Sequence, residues 1–277
     1  MKATIKSTLL LTIVLLVASC TPQNKTNNYS IKLKGSESLY ETFLMLKNDF
    51  EKMQDSVKIS IEGGGSRTGL IAIKNQEADI GLSSFPFNLD ATLGENHGVT
   101  EKVVAHDAIV VITNQSNPIK ELSDDQINAI YAGEANNWSE LGGRDIEITP
   151  VIRDENSGTQ KFFTEYFKIN DVAPTAEVAA TNADIVAKVS GNSKGIGFIG
   201  FAYFTESVHN LKLAADSTQD EFKAPTHRNI EKGKYPLTRG LRIYYRVGDN
   251  PGLEGFLKYL ETERAKGIIE SFGLIAG

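Results

Sequence analysis

Short segments with strand character alternate with longer amphipathic segments from residue 29 onward. In the first pair, Ile31 and Leu33 lie two residues apart, as on one face of a strand. The segment that follows has apolar residues at steps of four and three, which places on one helix face Leu39, Phe43, Leu46, Phe50 and Met53. The alternation predicts an α/β fold rather than an all-α or all-β one.

One strand-to-helix junction combines an arginine with two hydroxyls. Residues 147–152 alternate as a strand does, and a helix is predicted after them because aromatic rings share one face at Phe162, Phe163, Tyr166 and Phe167. Ser157, Gly158 and Thr159 would open this helix, where backbone N–H groups have no intrahelical partners. Together with Arg153 they form a candidate site for a tetrahedral oxyanion. In the alternative interpretation, Ser157 is only an N-cap and Arg153 only a surface charge.

Two earlier junctions also present hydroxyls. Ser36, Glu37 and Ser38 follow the first strand, and Ser66 and Arg67 follow three glycines after the second. These two groups of residues are predicted to form a second and a third anion-binding segment. Glycine lets the backbone approach a ligand closely, although a plain tight turn would also use it. The glycines fit neither a P-loop nor a dinucleotide fingerprint.

The N-terminus has the pattern of an export signal. Lys2 and Lys6 precede residues 9–17, which are apolar except for Thr12 and too short to span a bilayer. Cys20, the only cysteine, follows Val-Ala-Ser, a pattern that resembles a bacterial lipobox and implies cleavage before a lipidated Cys20. Ordinary secretory cleavage with an incidental cysteine is the alternative. Residues 1–19 are thus predicted to be a lipoprotein signal peptide and residues 20–28 a flexible tether.

Composition excludes several functions. Removal of residues 1–19, which hold two lysines and no acid, moves the formal charge from −6 to −8. With no basic run or basic patch, nucleic-acid binding is not expected. The four histidines lack metal-ligand spacing and no catalytic order of Ser, His and Asp is evident, so neither a metal nor catalytic residues are predicted. Residues 195–200 fit G-x-G-x-x-G, but these glycines lie in a predicted strand, so no cofactor is expected.

Six motifs occur in an order that resembles one family. They are Gly-Ser-Glu-Ser at 35–38, Gly-Gly-Gly-Ser-Arg-Thr-Gly at 63–69, Ala-Asp-Ile-Gly-Leu-Ser-Ser at 78–84, Asn-Asn-Trp-Ser-Glu-Leu-Gly-Gly at 136–143, Arg-x-x-x-Ser-Gly-Thr at 153–159 and Gly-Ile-Gly-Phe-Ile at 195–199. The series is similar to the phosphate-binding proteins of bacterial ABC phosphate importers, the PstS-like family, over nearly the whole mature chain. The resemblance implies a type II periplasmic binding protein, with two α/β lobes joined by two crossover strands and the ligand in the cleft.

The resemblance also implies ligand roles. Ser66 matches the serine that donates to phosphate, and the second lobe's arginine and helix start are matched by Arg153, Ser157, Gly158 and Thr159. Asp79 matches the aspartate that accepts a hydrogen bond from the protonated ligand oxygen. An ionised carboxylate only accepts, so it would pair with P–O–H and repel a fully ionised oxyanion. Asp79 is therefore expected to select phosphate over sulfate or molybdate.

Two positions differ from what is common in the family. Glu37 stands where many relatives place threonine, and Arg67 stands where small residues are common. A carboxylate aimed at a dianion would weaken its binding, so Glu37 is expected either to turn away or to form a compensating pair with Arg67.

The sequence also places the lobe boundaries. Lobe 1 is predicted to combine residues 29–105 and 238–277, and lobe 2 to hold residues 106–237, with crossovers near 103–113 and 235–245. The implied protein is a monomeric receptor on the outer face of a bacterial membrane, anchored through Cys20, that passes inorganic phosphate to an ABC permease. A receptor for another oxyanion, and a sensor or scavenger lipoprotein without transport, stay open as alternatives. An enzyme is not expected, because nothing supplies an activated nucleophile or a metal.

Overall fold

The computed structural model describes residues 28–214 and 221–277. The strands are β1 (Tyr29–Gly35), β2 (Val57–Glu62), β3 (Ile80–Ser83), β4 (Val99–Asn114), β5 (Glu121–Leu122), β6 (Thr149–Arg153), β7 (Glu177–Ala179), β8 (Gly195–Gly200), β9 (Val208–Asn210), β10 (Lys212–Ala214), β11 (Phe222–Lys223), β12 (Thr238–Arg246) and β13 (Ile275–Ala276). The helices are α1 (Glu37–Met53), α2 (Ser66–Lys74), α3 (Leu89–Leu93), α4 (Asp124–Ala132), α5 (Gly158–Tyr166), α6 (Asn182–Gly191), α7 (His227–Glu231), α8 (Pro251–Tyr259) and α9 (Glu263–Ser271). Short 3-10 helices lie at Trp138–Leu141 and Phe201–Tyr203. The predicted α/β class is confirmed.

One ten-stranded sheet runs through the molecule. Its order is β2-β1-β3-β12-β4-β8-β6-β7, and β9 and β13 also pair with β4. β1 is parallel to β2 and β3, and β6 is parallel to β7 and β8. Because α1, α2 and α5 each follow a parallel strand, their first turns lie at the carboxyl edge of those strands, where α/β proteins bind ligands.

The long strand β4 joins two halves of the sheet. Its residues 99–108 pair with β12, and residues 109–113 pair with β8. β12 returns the chain beside β4, and Ile109 N–H donates to Leu237 O where the two strands separate (2.9 Å). We call residues 28–105 and 238–277 the first half and the remaining described residues the second half.

The buried apolar residues cluster separately in the two halves. One cluster consists of residues between 31 and 105 and between 241 and 274. Another lies wholly within residues 108–237 and contains the stacked rings of Phe163 and Phe198, with centroids 3.8 Å apart. Each half thus has its own core. That the two halves move as lobes stays a prediction.

Residues 1–27 lie outside the described residues, so the predicted signal peptide, Cys20 and nearly all of the tether do as well. Across residues 28–214 and 221–277, no helix is both long and apolar enough to cross a bilayer.

Candidate functional site

Helices α1, α2 and α5 begin in the same region. Ser38 Oγ of α1 lies 3.1 Å from Thr159 Oγ1 of α5. A Cβ atom added to Gly158 would overlap Ser66 Oγ, so the first turn of α5 also contacts the first turn of α2. We call the region between these helix starts the cleft. Its buried hydroxyl residues are Ser36, Ser38, Ser66, Ser84, Ser157 and Thr159.

Arg153, the last residue of β6, adds a positive charge to this region. The residue is only 3% exposed, and its Nε donates to Ala179 O at 3.2 Å. Burial lowers the pKa of the Arg153 guanidinium, while the carboxylates of Asp154 and Glu37 oppose that change. Because arginine keeps its proton in proteins, Arg153 is a fixed cation. The burial of Arg153 excludes the alternative interpretation in which this residue is only a surface charge.

Ser157 caps helix α5, as that alternative proposed. Its side-chain oxygen accepts a hydrogen bond from Gln160 N–H at 3.2 Å. Capping does not exclude ligand binding, because a hydroxyl retains its proton and a second lone pair. The N–H groups of Gly158 and Thr159 belong to the first turn, where no intrahelical acceptor exists. Hydroxyl and backbone donors are thus concentrated at one helix end.

Ser66 and Ser36 begin the other two helices. Ser66 Oγ accepts from Ser84 N–H at 2.9 Å, and the two hydroxyl oxygens lie 3.1 Å apart. Ser36 is the N-cap residue of α1 but makes no side-chain cap bond. Ser84, which was not singled out from the sequence, follows β3 at the carboxyl edge of the sheet.

The glycine loop brings the two halves into backbone contact. Gly65 has φ 94°, which favours glycine, and a Cβ atom there would lie 2.5 Å from Asn156 O. Arg67 N–H donates to the same carbonyl at 3.1 Å. The loop therefore serves a close approach and not only a tight turn. The Arg67 side chain is exposed and lines an outer pocket that also includes Lys161.

The predicted pair between Glu37 and Arg67 does not form. The Glu37 carboxylate instead accepts a hydrogen bond from Gly64 N–H at 2.6 Å. No ion pair or hydrogen bond between described residues joins Glu37 to the Arg67 side chain. The backbone of the glycine loop satisfies the carboxylate, so an arginine partner is unnecessary. Tyr203 OH, from the second half, donates to Glu37 O at 2.6 Å.

Asp79 does not reach the cleft, which corrects its predicted ligand role. Asp79 precedes β3, and its carboxylate accepts from Lys32 N–H at 2.7 Å. The cleft hydroxyl of Ser84 follows the other end of β3, five residues further on, or about 16 Å along an extended chain. Asp79 is only partly buried, and it lines a pocket with Gln76 and Arg246 at the amino end of the strand.

The buried acid beside the cleft is Asp107, in β4. Its carboxylate pairs with Arg239 of β12 at 3.0 Å, and both side chains are 1% exposed. Arg239 also donates to Thr159 Oγ1 at 3.0 Å and to Ser38 Oγ at 3.1 Å. Burial raises the pKa of Asp107 and lowers that of Arg239, and each group opposes the change in its partner.

Sequence reasoning missed this pair, although a signal was present. Asp107 interrupts an apolar run that extends to Ile112, and a buried acid in such a strand requires a cationic or hydrogen-bonding partner. Asp79, by contrast, precedes β3 and is only partly buried. Within the described ranges, no cluster of three or more His, Cys, Asp or Glu residues could hold a metal ion.

Fold and site together define a periplasmic binding protein. Residues 21–264 match the family model of the PBP superfamily domain, so the chain belongs to this family. It is 28% identical to the phosphate-binding protein PstS of Bacillus subtilis over 89% of this chain and 80% of that protein. With PstS of Borreliella burgdorferi the identity is 25%, over 91% of this chain and 92% of that protein.

Two solved structures are also similar. A Clostridium perfringens protein, assigned as a phosphate ABC transporter substrate-binding protein and crystallised with bound phosphate, is 27% identical with a TM-score of 0.80 and coverage of 90% and 99%. An ABC-type phosphate transport receptor from Vibrio cholerae is 28% identical with a TM-score of 0.74 and coverage of 89% and 100%. The predicted fold and the resemblance to PstS-like proteins are confirmed.

Proposed function

We propose that this protein is an extracytoplasmic receptor that captures inorganic phosphate in the cleft and delivers it to an ABC importer. The observation that carries the proposal is the convergence of the α1, α2 and α5 starts beside the buried Arg153. The ligand and the class of transport are inferred from the names of the relatives. The residues around the cleft are the groups that would bind the anion.

The cleft is suited to an anion despite the acidic composition of the chain. Hydroxyl and N–H donors at helix starts stabilise negative charge locally, and Arg153 adds a fixed cation, so net charge does not decide binding. The proposed ligand donors are Ser36, Ser38, Ser66, Arg153, Ser157, Gly158 and Thr159. Glu37 and Arg67 flank this set without contacting each other.

A receptor for another oxyanion is the second candidate. It is favoured by the position of Asp79, because the carboxylate expected to reject sulfate lies at the far end of β3. A donor-rich site without that acceptor would bind a fully ionised anion as well. Phosphate remains the preferred candidate ligand because PstS proteins of several bacteria match most of this chain.

Anchoring and delivery belong to the same proposal. Cys20, after a short apolar run, would carry the lipid that holds the receptor at the outer face of the membrane, as a monomer beside its permease. Mass spectrometry of the N-terminal peptide from a membrane fraction tests this: a diacylated Cys20 supports anchoring, and an unmodified Cys20 or a start beyond residue 20 refutes it.

Calorimetric titration tests the ligand. Protein is denatured and refolded to remove carried-over anion, then titrated with phosphate and with sulfate. We expect one phosphate per chain, with Arg153→Ala weakening binding about a hundredfold or more, because charge-assisted hydrogen bonds are lost. Tighter binding of sulfate than phosphate would favour the second candidate. No binding of either anion by folded protein would refute both.

A further inference from the structure

Arg239 connects hydroxyls from the two sides of the cleft. Its Nη2 donates to Ser38 Oγ of α1 at 3.1 Å, and its Nη1 donates to Thr159 Oγ1 of α5 at 3.0 Å. Ser38 belongs to the first half and Thr159 to the second. One planar guanidinium therefore holds two proposed ligand groups in a fixed relation, which a single ammonium group could not reproduce.

These contacts limit what the two hydroxyls can offer a ligand. A hydroxyl has one proton and two acceptor lone pairs, and a guanidinium donates only. Each oxygen accepts from Arg239, and because the two oxygens lie 3.1 Å apart, one hydroxyl donates to the other. Either way, the pair retains one free proton and only one free lone pair. Without Arg239 it would retain three lone pairs, so Arg239 removes most of its capacity to accept.

Other contacts fix the guanidinium in position. Arg239 pairs with Asp107 and donates to Ser84 O at 3.4 Å. Its Nε–H has no hydrogen-bond partner among the described residues. A buried ion pair with an unsatisfied donor is a poor source of stability, so stability alone does not account for this arrangement.

We propose that Arg239 is a positioning residue that commits the Ser38–Thr159 hydroxyl pair to donating its one free proton toward a bound anion, so that the site prefers the dianionic form of phosphate to the monoanion. The inference rests on the proposed phosphate-binding function. The monoanion carries two P–O–H groups that require acceptors and the dianion carries one, so a hydroxyl pair left with one free lone pair instead of three penalises the monoanion more.

Other charged groups surround the site and keep their charge in every variant compared. Asp107, Arg153 and Arg242 act on Arg239. The charges that act on Arg153 come from Glu37, Asp154 and Asp184, while burial raises the pKa of Tyr203 and keeps its phenol neutral. These groups gain or lose protons alike in every variant. Their effect on phosphate affinity therefore cancels when the pH dependence of one variant is compared with that of another.

The test is phosphate titration of the purified protein at about pH 6 and about pH 8.5, on either side of the second ionisation of phosphate. Arg239→Lys keeps the charge but cannot reach both hydroxyls, and should weaken binding about tenfold at the higher pH and clearly less at the lower one. The matched control is Arg242→Lys, three residues along β12, where the arginine pairs with Glu101 instead. The control should keep the wild-type pH dependence.

A double variant, Ser38→Ala with Thr159→Val, keeps the Arg239–Asp107 pair and carries the same test should Arg239→Lys fail to fold. The double variant should also reduce the difference in phosphate affinity between the two pH values. Adding Arg239→Lys to it should not reduce that difference further. If Arg239→Lys or the double variant loses phosphate affinity equally at both pH values, or loses none, the inference about Arg239 is wrong. The proposed phosphate-binding function would not be affected by that result. Absence of phosphate binding by the wild type overturns the proposed function and this inference together.

Discussion

Ser38 and Thr159 are 121 residues apart in the sequence, and their hydroxyl oxygens lie 3.1 Å apart across the cleft. The contact joins the first turns of α1 and α5, one from each half of the molecule. The backbone contact between Arg67 N–H and Asn156 O, at 3.1 Å, joins the halves nearby. Since binding-site contacts come from both halves, affinity should depend on how closely the halves approach.

Gly158→Ala should weaken phosphate binding about tenfold or more. The added Cβ would overlap Ser66 Oγ and lie 2.8 Å from Ser84 Oγ, so the halves could not approach to the same distance. Calorimetry measures the loss.

Gly267→Ala is the matched control, because no heavy atom lies near an added Cβ on this exposed residue of α9. It should leave affinity unchanged and raise the free energy of unfolding by about 0.5 to 1 kcal/mol. Equal affinities in Gly158→Ala and wild type would contradict the close approach at α5.

Glu37→Gln should strengthen phosphate binding, by about fivefold at low salt. The amide oxygen can still accept from Gly64 N–H, while the negative charge that acts on Arg153 is removed. The gain should shrink as salt is added. Titrations of both proteins at two salt concentrations measure this, and weaker binding by the variant would mean that Glu37 itself contacts the ligand.

Asp79→Asn should change neither phosphate affinity nor the ratio of phosphate to sulfate affinity by more than about twofold. Its carboxylate bonds Lys32 N–H at the amino end of β3, far from the cleft hydroxyls. Competition titrations with sulfate give the ratio. Loss of selectivity in this variant would return Asp79 to the ligand-binding role implied by the family resemblance.

Asp49 should make the stability of the first half depend on pH. Hydrogen bonds from Arg264, with another from Tyr259, lower the pKa of Asp49 to about 2. Because the folded-state pKa lies below the unfolded one, the stabilisation is complete above about pH 5 and is lost as pH falls toward 2.

Asp49→Asn should therefore lower the melting temperature near neutral pH and converge with wild type in acid. Glu254→Gln, which breaks an exposed pair with Lys258, is the control and should have little effect at any pH. A constant difference for Asp49→Asn between pH 7 and pH 2 would show that the hydrogen bonds to its carboxylate do not set the stability.

Local patterns were sufficient to predict much of this molecule. The spacing of Leu39, Phe43 and Leu46 predicted α1, where all three are buried, and residues 195–200 form the predicted strand, which the structure shows as the buried β8. Arg153 and the start of α5 lie together because both belong to one strand-to-helix junction, and the separation within such a junction can be read from the sequence.

The remaining features depend on contacts between distant segments. Glu37 faces a glycine loop 27 residues away, and Arg239 reaches Ser38 over 201 residues. Neither partner can be inferred from spacing along the chain. The ligand role of Asp79 was wrongly predicted because β3 is short. A shift of a few residues moves a side chain from the amino end of this strand to its carboxyl end, where the cleft lies.

A crystal structure of the protein with arsenate, a phosphate analogue that anomalous scattering can locate, would show directly where the anion binds. We expect one anion within hydrogen-bond distance, about 3 Å, of the Arg153 guanidinium and the hydroxyls of Ser66 and Thr159. An anion bound instead in the outer pocket of Arg67 and Lys161, with none in the cleft, would contradict phosphate binding between the starts of α1, α2 and α5.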